Sequence, residues 1–277
     1  MISFSKVEMT YEPYPIAYLS SFVNEQVYHE MVESWPAYEL FDYKQKLGKK
    51  YSLSEINNGK NYDRFVNQTP VWQRFHGMVK SPAFIESTLE FLKNKNIDLD
   101  LGATKIVSKK SSRHPSLLSR IRQITELSAR FEFSMMAPNG GSIVPHTDDP
   151  NKLITLVVSI MQLGEWKPEW GGGTEICLPK NRSLIFNQQN RHLDFDEVDV
   201  IKQFPFVPNQ CVLFIKTYNS WHQVSPLQAG KDGPMFSPAV YQGGKTRLNA
   251  NVLALSFLVA DYDHGGPEMY TQVKAHL

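Results

Sequence analysis

Pro145-His146-Thr147-Asp148 holds the residues whose types and spacing best suit chemistry. If this segment is a β-strand, His146 and Asp148 point to the same face, because side chains alternate along a strand. An imidazole and a carboxylate then stand about 7 Å apart along the backbone and can converge on one ion. They are two donors of a 2-His-1-carboxylate face, a donor set that leaves positions on a metal open. The third donor must come from a distant strand. His222, in Ser220-Trp221-His222-Gln223-Val224, is the candidate, with a hydrogen-bonded core histidine as the alternative reading.

A lone His-x-Asp is a weak signal in a chain with eight histidines, and a second copy, His192-Leu193-Asp194, competes with the first. The second copy lies in a polar, charged stretch that reads as loop. The first follows a Gly140-Gly141 turn and precedes an apolar run starting at Leu153. His29 and His76 fall in helical segments, His114 in a basic loop, and His264 and His276 near the terminus, so none of these reads as a ligand.

The elements that must position these residues are short strands. From Arg130 onward, β-rich runs recur at 130–136, 142–148, 153–163, 173–178, 198–206, 211–217, 220–225 and 246–259. Turn clusters such as Pro138-Asn139-Gly140-Gly141 and Gly171-Gly172-Gly173 separate them, which argues for a sandwich or barrel. The first half has a helical texture. Asn24 caps a helix that carries Val27, Tyr28, Met31, Val32 and Trp35 on one face and ends at Pro36, and Thr69-Pro70 and Ser81-Pro82 begin two more. Residues 1–23 hold short apolar pieces broken by Pro13 and Pro15, and residues 37–68 read as irregular. The expectation is a single domain over 1–277, mostly β with α. A helix-rich support region at 1–129 packs on one sheet of a β core at 130–262.

Bulk properties narrow the function classes. A chain of 277 residues that is 42% hydrophobic and 21% charged can bury a sizeable core. A net charge of +1 gives no overall field toward nucleic acid or membrane, and the basic stretch 105–122 lacks aromatics and reads as a solvated loop. The apolar run Leu153–Met161 is far short of the ~20 residues that span a bilayer. Cys177 and Cys211 lie in apolar runs and read as buried thiols of a reducing compartment. With no signal-peptide pattern at the start, a cytoplasmic location is expected.

Taken together, these residues resemble the iron(II)- and 2-oxoglutarate-dependent oxygenases, and among them the prolyl-4-hydroxylase-like group. The resemblance covers about residues 130–259 and rests on an ordered set. Pro138-Asn139-Gly140-Gly141 comes first, then Pro145-His146-Thr147-Asp148, the run 153–163, and Gly172-Gly173-Thr174-Glu175-Ile176. Val207-Pro208-Asn209-Gln210-Cys211-Val212-Leu213-Phe214, His222-Gln223-Val224 and Thr246-Arg247-Leu248 follow. It implies a double-stranded β-helix, or jelly-roll, core in which His146, Asp148 and His222 hold iron(II). It also implies that Arg247 meets the far carboxylate of 2-oxoglutarate, a pairing that suits a planar guanidinium. Arg247 lies further past the histidine than is usual in the family, across a Gly- and Pro-containing stretch at about 231–245, and Lys231 has the usual spacing and is the rival. Where relatives often have tyrosines beside the cosubstrate, this chain has Ala137 and Ser159. Thr155 and Ser159 share a strand face and offer smaller hydroxyls, and Asn249 and Asn251 share the face of Arg247; each of the four has an alternative reading as a satisfied core polar group.

The reaction implied is hydroxylation of an aliphatic C–H with O2, releasing succinate and CO2. The presence of Asp148 favours hydroxylation over halogenation. The substrate, a small molecule or a prolyl or other peptidyl group, is not legible, although Trp166, Trp170, Arg191, His192, Tyr218 and Asn219 fall where loops line a mouth. Two other readings stand beside this one. One is a cupin-like metalloenzyme that does not use 2-oxoglutarate, and the other is a non-catalytic jelly-roll ligand-binding module.

Overall fold

Two strands open the chain, β1 (Val7–Thr10) and β2 (Ile16–Ser20), paired antiparallel with Val7 opposite Leu19. The structure is a computed structural model that describes residues 2–99, 101, 103–107, 125–164, 166–228 and 261–262. Helix α1 (Glu25–Glu33) follows, capped by the Asn24 side chain, which accepts from the Val27 amide. Residues 37–68 are not irregular. They hold β3 (Asp42–Lys44), β4 (Lys50–Ser54) and α2 (Gly59–Gln68). Burial explains the difference: Leu53 of β4 and Tyr62 and Val66 of α2 are core residues, and a distant strand supplies β4 with its pairing partner. Helix α3 (Pro70–Val79) starts at the expected Thr69-Pro70. Helix α4 (Pro82–Asn94) starts at Ser81, whose hydroxyl accepts from the Phe84 amide.

The remaining strands are β5 (Thr104–Ile106), β6 (Thr125–Leu127), β7 (Ala129–Arg130), β8 (Glu132–Met136), β9 (Ile143–His146), β10 (Ile154–Val158), β11 (Thr174–Pro179), β12 (Val198–Phe204), β13 (Gln210–Ile215), β14 (His222–Val224) and β15 (Asp261–Tyr262). They form two four-stranded antiparallel sheets, ordered β1-β2-β13-β10 and β12-β11-β14-β9, and a three-stranded sheet β3-β4-β8. β7 pairs with β15, and β5 with β6 in parallel. The strand expected at 246–259 lies outside the described residues. Among the described residues, no helix is long and apolar enough to cross a membrane.

β13, inside the first of the four-stranded sheets, is buried on both faces, and the side chains of β2, β13 and β10 alternate between two cores. Cys211, Leu213 and Ile215 of β13, Ile154, Leu156 and Val158 of β10, and Ala17 and Leu19 of β2 pack with the apolar faces of the helices. Their neighbours Val212 and Phe214, with Ile16, point the other way and pack with Ile176 and Phe204 of the second sheet. A fully buried Val, Leu, Ile or Phe contributes about 1.5–3 kcal/mol. A one-residue slip would send each set to the wrong side, so both faces fix the register of β13.

Candidate metal centre

The second sheet lines up its inward residues in a row. Ile176, His222 and His146 are direct partners across β11, β14 and β9. The two imidazoles lie with ring centroids 4.3 Å apart, and Phe214 from the opposite sheet sits 4.3 Å from His222. His146 Nδ1 is 2.9 Å from the Val144 carbonyl, and His222 Nδ1 is 2.8 Å from that of Ser220. A carbonyl only accepts, so each Nδ1 carries a proton, and in the neutral ring Nε2 presents its lone pair. Burial, then the nearby His146, pushes the His222 pKa down to about 3, so this ring is neutral near pH 7.

Asp148 arrives by a route the sequence did not show. β9 stops at His146, and Asp148 has φ of +69°, in the left-handed region. The pleat of a continuous strand therefore does not bring imidazole and carboxylate together; a turn does. The cause lies in Thr147. Its amide donates to Asn190 Oδ1, its hydroxyl donates to the Asn187 carbonyl, and its own carbonyl accepts from the Ser220 hydroxyl. With its backbone groups bonded to these loops, Thr147 leaves the β-ladder. The turn places Asp148 Oδ1 3.5 Å from His146 Nε2 and Oδ2 3.8 Å from His222 Nε2. One donor atom from each of the three residues lies within 4.8 Å of the others.

The carboxylate has two further partners. Thr155 Oγ1 donates to Oδ2 at 2.9 Å, and Lys152 Nζ donates to Oδ1 at 2.9 Å. Burial alone would raise the Asp148 pKa, but Lys152 and the two histidines hold it well below the usual carboxylate range. Thr155 is the register partner of Phe214, so its hydroxyl reaches the centre from the inner face of the first sheet. Lys216, just past β13, is also buried. Burial lowers its pKa to about 8 against the opposing pull of Asp148 and Asp149.

Other sequence candidates fall elsewhere. Ser159 lies just past β10, where its hydroxyl accepts from Gln210 Nε2 at 3.3 Å and its carbonyl accepts from the Tyr28 hydroxyl. Arg247 and Asn251, with Asn249 and Lys231, lie outside the described residues. The rival pair does not join the cluster. The exposed His192 ring sits 5.8 Å from that of His146, while Asp194 caps the short helical turn Phe195–Glu197. Trp221 packs with Cys177, Leu193 and Val198 and donates its indole N–H to the Ile185 carbonyl. Sequence reasoning missed Lys152, Thr147, Lys216 and Phe214. Of these, only Phe214 had a readable signal, as an alternate residue of an apolar strand.

No protein-family model matches the sequence, and no curated protein does. Solved structures resemble the chain at a distance. One is a prolyl-4-hydroxylase of Pseudomonas putida, 12% identical, with a TM-score of 0.44 over 90% of this chain and 91% of that one. Another is a prolyl hydroxylase in complex with a hypoxia inducible factor oxygen degradation domain peptide fragment from Trichoplax adhaerens, 10% identical, with a TM-score of 0.45 over 93% of this chain and 87% of that one. A third is an oxidoreductase of the 2OG-Fe(II) oxygenase family from Burkholderia pseudomallei, 9% identical, with a TM-score of 0.36 over 90% of this chain and 84% of that one.

Proposed function

We propose that the chain is an iron(II)- and 2-oxoglutarate-dependent oxygenase that hydroxylates an aliphatic C–H of a small-molecule or peptidyl substrate. Its core is a double-stranded β-helix over residues 130–262, which β1 and β2 of the N-terminal region join. The observation that carries this reading is the convergence of His146, Asp148 and His222. Two ring nitrogens with their protons held on the opposite atoms, and one ionised carboxylate, turn toward a common point. With both rings neutral, three electron pairs face one another, a repulsion that a cation among them would relieve. A set of two nitrogens and one oxygen suits iron(II) with open positions.

Iron(II) held there, with 2-oxoglutarate and O2, would supply the oxidising chemistry, with succinate and CO2 as the released products. The chain's own residues do the rest. Val144 and Ser220 carbonyls fix the two ring orientations, Thr155 and Lys152 fix the carboxylate, and Phe214 covers one side of His222 against water. Arg247 is assigned to the far carboxylate of 2-oxoglutarate, with Asn251 beside it. The Thr155 hydroxyl is assigned to Asp148 and that of Ser159 to Gln210, rather than to the cosubstrate.

The test is anaerobic loading with iron(II), addition of 2-oxoglutarate and O2, and measurement of succinate by mass spectrometry. Slow succinate release without added substrate is expected, and Asp148→Ala should abolish it. Undiminished release in that variant would refute the assignment. Metal binding without any succinate would favour the cupin-like reading, and neither would favour a binding module.

A further inference from the structure

The turn that carries Asp148 is held from the opposite sheet by a buried lysine. Lys216 follows the last residue of β13 and is only 2% exposed, although lysine is almost never fully buried without a partner. Its ammonium donates to Thr147 Oγ1 at 3.2 Å and to the Thr217 carbonyl at 3.0 Å. Among the described residues, no carboxylate lies within ion-pair distance of it. The Thr147 hydroxyl therefore accepts from Lys216 and donates to the Asn187 carbonyl, using both of its capacities.

Thr147 is fully buried and adjoins Asp148, which has a positive φ. Aspartate tolerates this region better than most residues, so the place of its carboxylate is set by how its neighbours are bonded. Asn187, Asn190 and Ser220 grip Thr147 from the loops, and Lys216 alone of the four grips it from the first sheet. We propose that Lys216 is a positioning residue of the metal centre, which locks Asp148 in its ligating geometry by anchoring the Thr147 hydroxyl across the two sheets. This rests on the reading of the triad as a metal centre.

The charge of Lys216 makes the test one of sign. An ammonium that acted only through its field would repel a bound cation, so removing it would tighten metal binding. A positioning lysine gives the opposite result. The probe is Co(II), titrated anaerobically into the full-length metal-free chain and followed by its visible absorption, with thermal unfolding of each metal-free protein alongside. Lys216→Met and Thr147→Val should each weaken Co(II) binding about 10–100-fold, the range for lost support of a ligand, and alter the absorption band. The double variant should be no worse than the weaker single one. Thr147→Ser, which keeps the hydroxyl, should restore wild-type binding. Lys50→Met, which removes a partner of the buried Glu132 on another sheet, should lower the melting temperature and leave the Co(II) band unchanged.

Co(II) binding by Lys216→Met that is equal to or tighter than wild type, with an unaltered band, overturns the proposal. So does the same loss of Co(II) affinity in Lys50→Met at the same loss of melting temperature. If Lys216→Met does not fold, the Thr147→Val and Thr147→Ser pair decides, and equal affinities in the two overturn it. Failure of the wild-type chain to bind Co(II) removes the metal-centre reading itself, whereas wild-type binding with unaffected variants removes only the role of Lys216.

Discussion

Replacing Thr155 by valine removes one hydroxyl and almost nothing else. Thr155 is 4% exposed on β10, and valine is a β-branched residue that suits the same strand position. Packing against its register partner Phe214 is retained. The loss is the hydrogen bond to Asp148 Oδ2 at 2.9 Å. A hydrogen bond to an ionised group contributes about 1.5–3 kcal/mol. Lys152 still holds the other carboxylate oxygen, so the lower end applies, about 1.5 kcal/mol or tenfold in an equilibrium constant. Thr155→Val should therefore weaken Mn(II) binding about tenfold, read by calorimetry under nitrogen, with the melting temperature of the metal-free protein shifted by only a few degrees. The other role for this hydroxyl, contact with 2-oxoglutarate, predicts a different pattern. Mn(II) affinity would stay at the wild-type value while the 2-oxoglutarate concentration for half-maximal succinate release rose, and that result would refute the reasoning.

Three further outcomes are expected. Arg247→Ala should raise the 2-oxoglutarate requirement by about two to three and a half powers of ten with metal affinity nearly intact, because an unpaired buried charge costs roughly 3–5 kcal/mol. Lys231→Ala should do little, and the reverse pattern in succinate assays would move the role to the lysine. Burial would raise the Glu132 carboxyl, but Lys50, Arg130 and Ser134 hold it down at about 2 against an ordinary 4.5, so its contribution is present above pH 4.5 and lost as pH falls toward 2. Glu132→Gln should cost about 3–5 kcal/mol at neutral pH, and the gap from wild type in urea midpoint should narrow between pH 4.5 and 2; a constant gap contradicts the pairing. In Gly141→Ala the new Cβ would lie 2.4 Å from the Ala137 carbonyl oxygen and 2.7 Å from its nitrogen, both backbone atoms that cannot rotate aside. A loss of about 1–3 kcal/mol or more by chemical denaturation is expected, and wild-type stability would show that the turn before β9 relaxes freely.

The parts legible in the sequence are those set by local pattern. β-rich runs between turn clusters located β8 to β14, although the run 153–163 continues five residues past the end of β10, and the Asn24, Thr69-Pro70 and Ser81-Pro82 signals located three helix starts. Helix α2 was missed although Tyr62, Phe65 and Val66 have helical spacing, because the polar residues around them dilute the signal until β4 and β8 bury one face. β1 and β2 were missed because β2 finds its place by pairing with β13, nearly two hundred residues away, and β1 is held only through β2. In the candidate site, His146, Asp148 and His222 were legible as residue types at a distance. The turn that joins the first two was not, since a positive φ at Asp148 follows from bonds that Thr147 makes to residues 187, 190 and 220. Lys216 ends an apolar run where a solvent-facing lysine is the ordinary reading, and only the folded chain shows it enclosed.

The two-sided burial of β13 has a consequence for how this chain tolerates change. Cys211, Leu213 and Ile215 face the helices, and Val212 and Phe214 face the ring nitrogens' side. A saturation scan along this one strand should therefore alternate between two phenotypes with a period of two residues. Odd-numbered positions should loosen the packing on the helices and even-numbered ones the packing on the second sheet beside the imidazoles, each at a cost in stability. Change in the helical layer is therefore met by the odd-numbered residues and change around the imidazoles by the even-numbered ones, on one shared strand.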